Sequence, residues 1–529
     1  MRRSILLILL AMVLALPFLT QVALRGGRSA RAGAAVEERL VIVTPHNGDI
    51  RREFQHAFSR WHGQRYGTAV EIDYRTPGGT VDIRRMLDNM YRGYRDKGGK
   101  LPAEVAIDLH MVWGGGDFFF GEELKPLGIL QPIRIDAELL KAAFPEASLA
   151  GVKLYDEGVD GAGRPAPQWV GVCLSSFGIV YNADLYGVLK LAPPKQWADL
   201  ANPKLSGLVA LADPSHSGSA SVAYMIVVQR AMADAEESFL AANPSLKAVA
   251  KAELARNEEY QKAIAAGWKE GMKSLVLIAA NARYLSDSSS MVPRDVGNGQ
   301  AAAGMAIDFY GRVYEESVGP GRCKFVSPVA ATAITPDPIA ILHGVKGRPL
   351  ELATHFIEFL LSREGQRLWI VKAGEAGGPR ERALRRPPIR RDVYGDRRLW
   401  TDDVDLFADA GDFNQRSEWM VLFSDMRAMW MAAWIDSREA LRSAYERVLK
   451  VKDERKRAAL IERLSNLPIE LNDVVELRRK RKEAEAAGRG DEFKASSRIQ
   501  WARKFSGHYA KVAAAAGGPV RKKQREATK

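Results

Sequence analysis

Four short segments gather residue types able to hold an anion: Gly78-Gly79-Thr80, Gly114-Gly115-Gly116, Ser217-Gly218-Ser219 and Ser288-Ser289-Ser290. Glycine lets backbone approach a ligand closely. Serine and threonine bring hydroxyls, and a helix that starts at such a residue presents N–H groups to an oxyanion. The same composition also serves plain N-capping, and each segment taken alone fits either use. Four of them, each after a strand-like run, point to a shared site for an anionic or polyhydroxy ligand. Catalytic chemistry has less support. The eight histidines are scattered, with no pair four residues apart. Both the Gly-x-Ser-x-Gly nucleophile turn and the Gly-x-x-x-x-Gly-Lys phosphate loop are absent. The chain therefore reads as a binder and not an enzyme, with no cofactor. Cys173 and Cys323 are the two cysteines, neither with a neighbour at zinc-ligand spacing.

Such segments must be carried by alternating strands and helices, the pattern of an α/β fold. Leu40-Val41-Ile42-Val43 is a continuous apolar run, as in a strand buried on both faces. Ile50, Phe54, Ala57, Phe58 and Trp61 then recur at helical spacing. Val70 to Tyr74 alternates like a strand, and Ile83, Met86, Leu87 and Met90 mark the helix after Thr80. Further strands are expected at Val105–Trp113, Trp169–Leu174, Leu208–Ala212, Leu275–Ala280, Ala303–Ile307 and Ala331–Leu342. From Gly374 to Pro388 the chain is dense in Gly, Pro and Arg, and reads as a strap lying on a surface. Beyond Ser417, Met420, Phe423, Met426, Met429, Trp430 and Trp434 recur at helical steps.

The 529 residues allow two or three domains. A net charge of +13 collects in late runs such as Arg478-Arg479-Lys480-Arg481, a solvated tail rather than a nucleic-acid surface. At the other end Arg2 and Arg3 precede an apolar stretch, Ile5 to Leu19, which matches an export signal. Its cleavage candidates lie late and behind Arg25 and Arg28, so a cleaved signal and an uncleaved membrane anchor both stand.

Three motifs stand in order: Trp169 to Asn182 (WVGVCLSSFGIVYN), Pro194-Lys195-Gln196-Trp197-Ala198-Asp199-Leu200, and Ala210 to Ala220 (ALADPSHSGSA). With them the stretch from about 40 to 374 resembles the periplasmic solute-binding proteins of ABC importers (family 1, type II binding fold), in the branch that includes the ferric-iron-binding proteins. The resemblance implies two α/β lobes that close on a small ligand, with hinge strands near Val172–Val180 and Val326–Ile341. Lobe one would be 40–170, completed by 330–375, and lobe two 171–329. An N-terminal signal or anchor (1–35), an irregular strap (376–416), a helical extension (417–516) and a disordered basic tail (517–529) complete the expected layout. His46, Thr80, Trp113, Gly114, Gly115, Ser176, Ser217, Ser219, Ser289, Asp308 and Tyr310 are expected in one cleft. Backbone N–H groups at Gly114 and Ser219 would bind an oxyanion, with Trp113 and Tyr310 stacking on the ligand or reaching it by hydroxyl. The iron-binding relatives imply metal ligands at His46, Asp308 and Tyr310, but Phe309 stands where they carry a second tyrosine. His46 also fits a cap on the loop before Asp49. If the hinge strands are neighbours, Cys173 and Cys323 come within bridging distance. Implied partners are an ABC permease and the inner membrane, through the N-terminal segment. The protein would be periplasmic and monomeric, with no nucleic acid. A ferric-iron importer component, and a membrane-anchored scaffold binding a protein partner through its C-terminal helices, are the alternatives.

Overall fold

In the computed structural model, residues 38–319, 321–409 and 413–517 are described. The expected signal or anchor, and all of the basic tail after Gly517, lie outside them. Thirteen strands occur among these residues: β1 Glu38–Val43, β2 Val70–Arg75, β3 Met111–Trp113, β4 Leu130–Gln131, β5 Ser148–Leu149, β6 Val152–Lys153, β7 Val170–Ser175, β8 Phe177–Asn182, β9 Val209–Ala212, β10 Ala282–Ser286, β11 Ala303–Ile307, β12 Cys323–Val326 and β13 Thr335–Leu342. They form two separate sheets and one hairpin. The first sheet runs β2-β1-β3-β13-β4, with β7 also against β13; the second runs β10-β9-β11-β8-β12. In the first, β1 is parallel to β2 and β3 while β13 is antiparallel to its neighbours. The chain passes from one sheet to the other at Ser176, between β7 and β8, and returns between β12 and β13. This is a two-lobed α/β architecture.

The local causes are plain. Leu40 to Val43 are at most 1% exposed because helices cover both faces of their sheet. The helix after β1, α1 (Gly48–Tyr66), starts where the Asn47 side chain accepts from the Ile50 N–H, and it buries Ile50, Phe54 and Phe58. The helices that matter below are α2 (Thr80–Arg92), α3 (Gly218–Ala242), α4 (Glu258–Ala280) and α5 (Phe423–Trp430).

Four expectations need correction. Leu275–Ala280 is no strand but the last turn and a half of α4. An apolar run buried on all sides has no period that separates strand from helix, and here α3 and the C-terminal helices enclose it. The strand expected over Val105–Trp113 spans only its last three residues. The strap from Gly374 is not superficial: Leu384, Arg386 and Ile389 are at most 3% exposed, and Pro387 O accepts the Leu174 N–H. Its turns are held by buried Glu53, which accepts from the N–H groups of Arg380, Glu381 and Arg382, so backbone lacking a sheet partner still finds acceptors. Lastly, Cys173 and Cys323 are both buried and free. They stand in different sheets, on β7 and β12, and burial pushes the Cys323 thiol up to about 12.

The C-terminal helices, through Ala516, share one core with the second sheet. Phe423, Met426, Met429, Trp430 and Trp434 pack in the same cluster as Tyr224, Trp268 and Met272.

Candidate ligand-binding cleft

Between the two sheets lies a cavity of about 520 Å³ lined by both. On one side α2 begins at Thr80, and Gly79 donates its N–H to Asp82. On the other α3 begins at Gly218, its Ser217 hydroxyl accepting the Ala220 N–H. The first-turn N–H groups of a helix have no acceptor within it, so two positive helix ends meet the cavity. The lobes approach very closely here. A Cβ on Gly79 would stand 2.6 Å from His216 O, and one on Gly218 would stand 3.3 Å from the Thr80 hydroxyl. Glycine at 79 is a condition of that approach, since the atom it would strike is backbone.

The floor of the cavity is charged. Asp337, on β13, accepts N–H bonds from Gly115 (2.7 Å) and Gly116 (3.4 Å) at Oδ1. Its Oδ2 faces His46 Nε2 at 2.8 Å and pairs with Arg386. Arg386 also donates to the Ser175 hydroxyl at 2.6 Å and lies over the Phe309 ring at 4.5 Å. Burial would raise the Asp337 carboxyl, but Arg386 and His46 overcome it and hold the group well below the usual range. Burial likewise lowers His46 against the pull of Asp337, so the ring is neutral and gives its Nε2 proton to Asp337. Two buried atoms of this group, Arg386 Nε and His46 Nδ1, have no protein partner.

Seven of the eleven expected residues line this cavity: His46, Thr80, Gly115, Ser217, Ser219, Ser289 and Tyr310. Four do not. Trp113 is fully buried beneath it, edge-on to His46 at 4.5 Å and packed on Phe54 and Trp369. The Gly114 N–H is spent on Pro338 O at 2.7 Å, continuing the β3–β13 ladder. Ser176 and Asp308 satisfy each other: the carboxylate accepts from the Ser176 N–H and hydroxyl and from the Phe309 N–H. That locks the crossing at Ser176 and commits three of the roughly four acceptor sites of the Asp308 carboxylate within the protein. Among the described residues no group of three His, Cys, Asp or Glu side chains could hold a metal ion. Of the three metal candidates, His46 and Tyr310 line the cavity and Asp308 does not.

Residues not expected in the cleft from the sequence also line it, among them Ser175, Asp337, Arg386, Asp117, Phe309, and two from the extension, Phe423 and Arg427. Asp337 did leave a signal, a charge between two prolines inside an apolar strand. Arg386 left none, being one of many arginines in its strap.

A cleft between two α/β lobes, polar at its floor and faced by two helix N-termini, is suited to a small solute. Residues 119–374 match the family model of the bacterial extracellular solute-binding proteins. The family's place is periplasmic or extracellular, and its members are binding proteins. Among curated relatives, the phosphoglycerate transport regulatory protein PgtC of Salmonella typhimurium is 25% identical over 232 residues, 42% of this chain and 48% of that one. The chain thus spans about half the length of the curated relatives it matches. Among solved structures, the periplasmic binding protein AfuA from Actinobacillus pleuropneumoniae, with fructose-6-phosphate bound, gives a TM-score of 0.49 at 17% identity. It covers 75% of this chain and 98% of its own. Iron-bound HitA from Pseudomonas aeruginosa gives 0.44 at 18%, over 73% and 99%. No helix among the described residues is long and apolar enough to cross a membrane.

Proposed function

We propose that the protein captures a small anionic ligand bearing hydroxyl groups in this cleft and delivers it to an ABC permease from the periplasmic side. In this reading the first lobe is 40–170 with 330–375 and the second 171–329. The N-terminal segment carries the export signal and stays as an anchor where it is not cleaved. The observation that carries the ligand class is the meeting of the α2 and α3 N-termini at one cavity beside Arg386. Each presents N–H groups that water or an oxyanion must satisfy. Ser217, Ser219, Ser289 and Thr80 add hydroxyls suited to a polyol. The name of the PgtC relative, a phosphoglycerate transport regulatory protein, points to the same chemistry.

Calorimetry with 3-phosphoglycerate and sugar phosphates, against their unphosphorylated parents, tests it. The phosphorylated compounds should bind and the parents should not. Ser219→Pro removes one N–H at the second position of α3, where Gly218 before it has no Cβ for the proline ring to strike. It should weaken the anion about 10- to 100-fold, the size of one charge-assisted hydrogen bond, with the fold intact by circular dichroism. Equal binding of parent and phosphorylated compounds would overturn the anionic reading.

A further inference from the structure

The extension touches both sides of the cleft at two places. Gln415 and Arg416, neighbours in sequence, hold opposite lobes. The Gln415 N–H donates to Ala150 O at 3.0 Å, in the turn between β5 and β6. Gly151 beside it has φ +79, and a Cβ there would stand 2.3 Å from Gln415 O, so this seat is fitted to the crossing backbone. The Arg416 N–H donates to Gln229 Oε1 on α3 at 3.0 Å, its carbonyl accepts from the same amide at 3.4 Å, and its guanidinium pairs with buried Glu236.

Arg427 repeats the arrangement at the mouth of the cavity. It donates to Pro214 O and Ser215 O (3.1 Å), just before α3, and its third nitrogen meets Glu123 of the other lobe at 3.3 Å. Phe423, one helical turn earlier, packs on Phe118 with ring centroids 4.3 Å apart. The helix that carries both, α5, cannot drift. Asp425 is 1% exposed and takes a two-pronged bond from Arg481 (2.7 and 3.0 Å), while Trp430 and Trp434 are sunk in the second core.

Two-lobed binding proteins open and close about their hinge strands. Here a third crossing of the chain spans the gap, and its far end is cemented into one lobe. We propose that the extension is a built-in clamp: the lobes stay together with or without ligand, and exchange waits on release of Arg427 and Phe423 from the Glu123–Phe118 side. Both residues are also walls of the cavity, so the clamp sets the size of what enters. The proposal rests on the two-lobed binding reading but not on the ligand's identity.

Spin labels at Lys97→Cys and Val188→Cys, both exposed and on opposite lobes, report the opening of the cleft by pulsed electron resonance. The native cysteines are buried and out of reach of the label. The labelled full chain should give one narrow distance distribution, the same with and without inorganic phosphate. Arg427→Ala and the isosteric Glu123→Gln should each spread it to longer distances, with circular dichroism unchanged. Should Arg427→Ala misfold, Glu123→Gln decides alone. A broad distribution in the parent chain, or variants that leave it unaltered, overturns the clamp. The ligand-free measurement is independent of the anionic reading, whose failure shows only in the calorimetry.

Discussion

Asp117 and Asp337 line the same cavity and titrate in opposite directions. Burial raises both, but Asp337 has the Arg386 cation and the His46 hydrogen bond against it, while no cation offsets the push on Asp117, whose carboxyl rises to about 6. In the unfolded chain an aspartate titrates near ~3.9, so the folded state holds the Asp117 proton more tightly. Stability from this group therefore falls as pH rises from the unfolded to the folded value, and the penalty is complete above about 6. Asp117→Asn should raise stability at neutral pH on the order of 1–2 kcal/mol, allowing for partial solvent screening. Denaturant midpoints measured against pH should show that gain shrink below 6 and vanish near ~4. At this scale the sequence was legible where a residue's type carried the signal. The Gly and Ser runs at Thr80, Gly115 and Ser217 declared a helix start near a close approach. The hydrogen bonds that withdraw Gly114 and Asp308 from the cavity join residues far apart in the chain, and no local pattern announces them.

The helix pair α3 and α4 shows the same limit among elements. Gly267 and Gly271 lie where a Cβ would meet Ala231 O and Val228 Cα, each at 2.6 Å. Backbone cannot yield as a side chain can. Gly271→Ala should cost roughly 1–3 kcal/mol by overpacking. Gly63→Ala on α1 faces only Thr68 O at 3.9 Å and should add about 0.5–1 kcal/mol by lowering unfolded-chain entropy. Urea titration of the two variants reads both signs in one experiment. Half-exposed elements such as α1 print their burial as a period of apolar residues. The end of α4 is enclosed on every side, so its sequence records only that it is buried.

At the scale of the molecule, the crossings at Ser176 and between β12 and β13 fall within the hinge segments that the family resemblance implied, Val172–Val180 and Val326–Ile341. The depth of the extension was not: a stripe of Met and Trp tells that a helix is covered, not which core it completes. Ending the chain after Asp409 should uncover Trp268, Met272 and Tyr224, more apolar surface than a monomer carries without association. Such a product is expected to aggregate or to bind the dye ANS, where the full chain does neither. The shared core also orders events in time. The second lobe begins before residue 180, yet Phe505, Tyr509 and Val512 belong to its interior. A ribosome releasing the chain from its N-terminus supplies those side chains long after the lobe's first strand, so that lobe has no finished core until they follow. A lobe completed across so long a sequence separation folds later than one built from neighbouring segments.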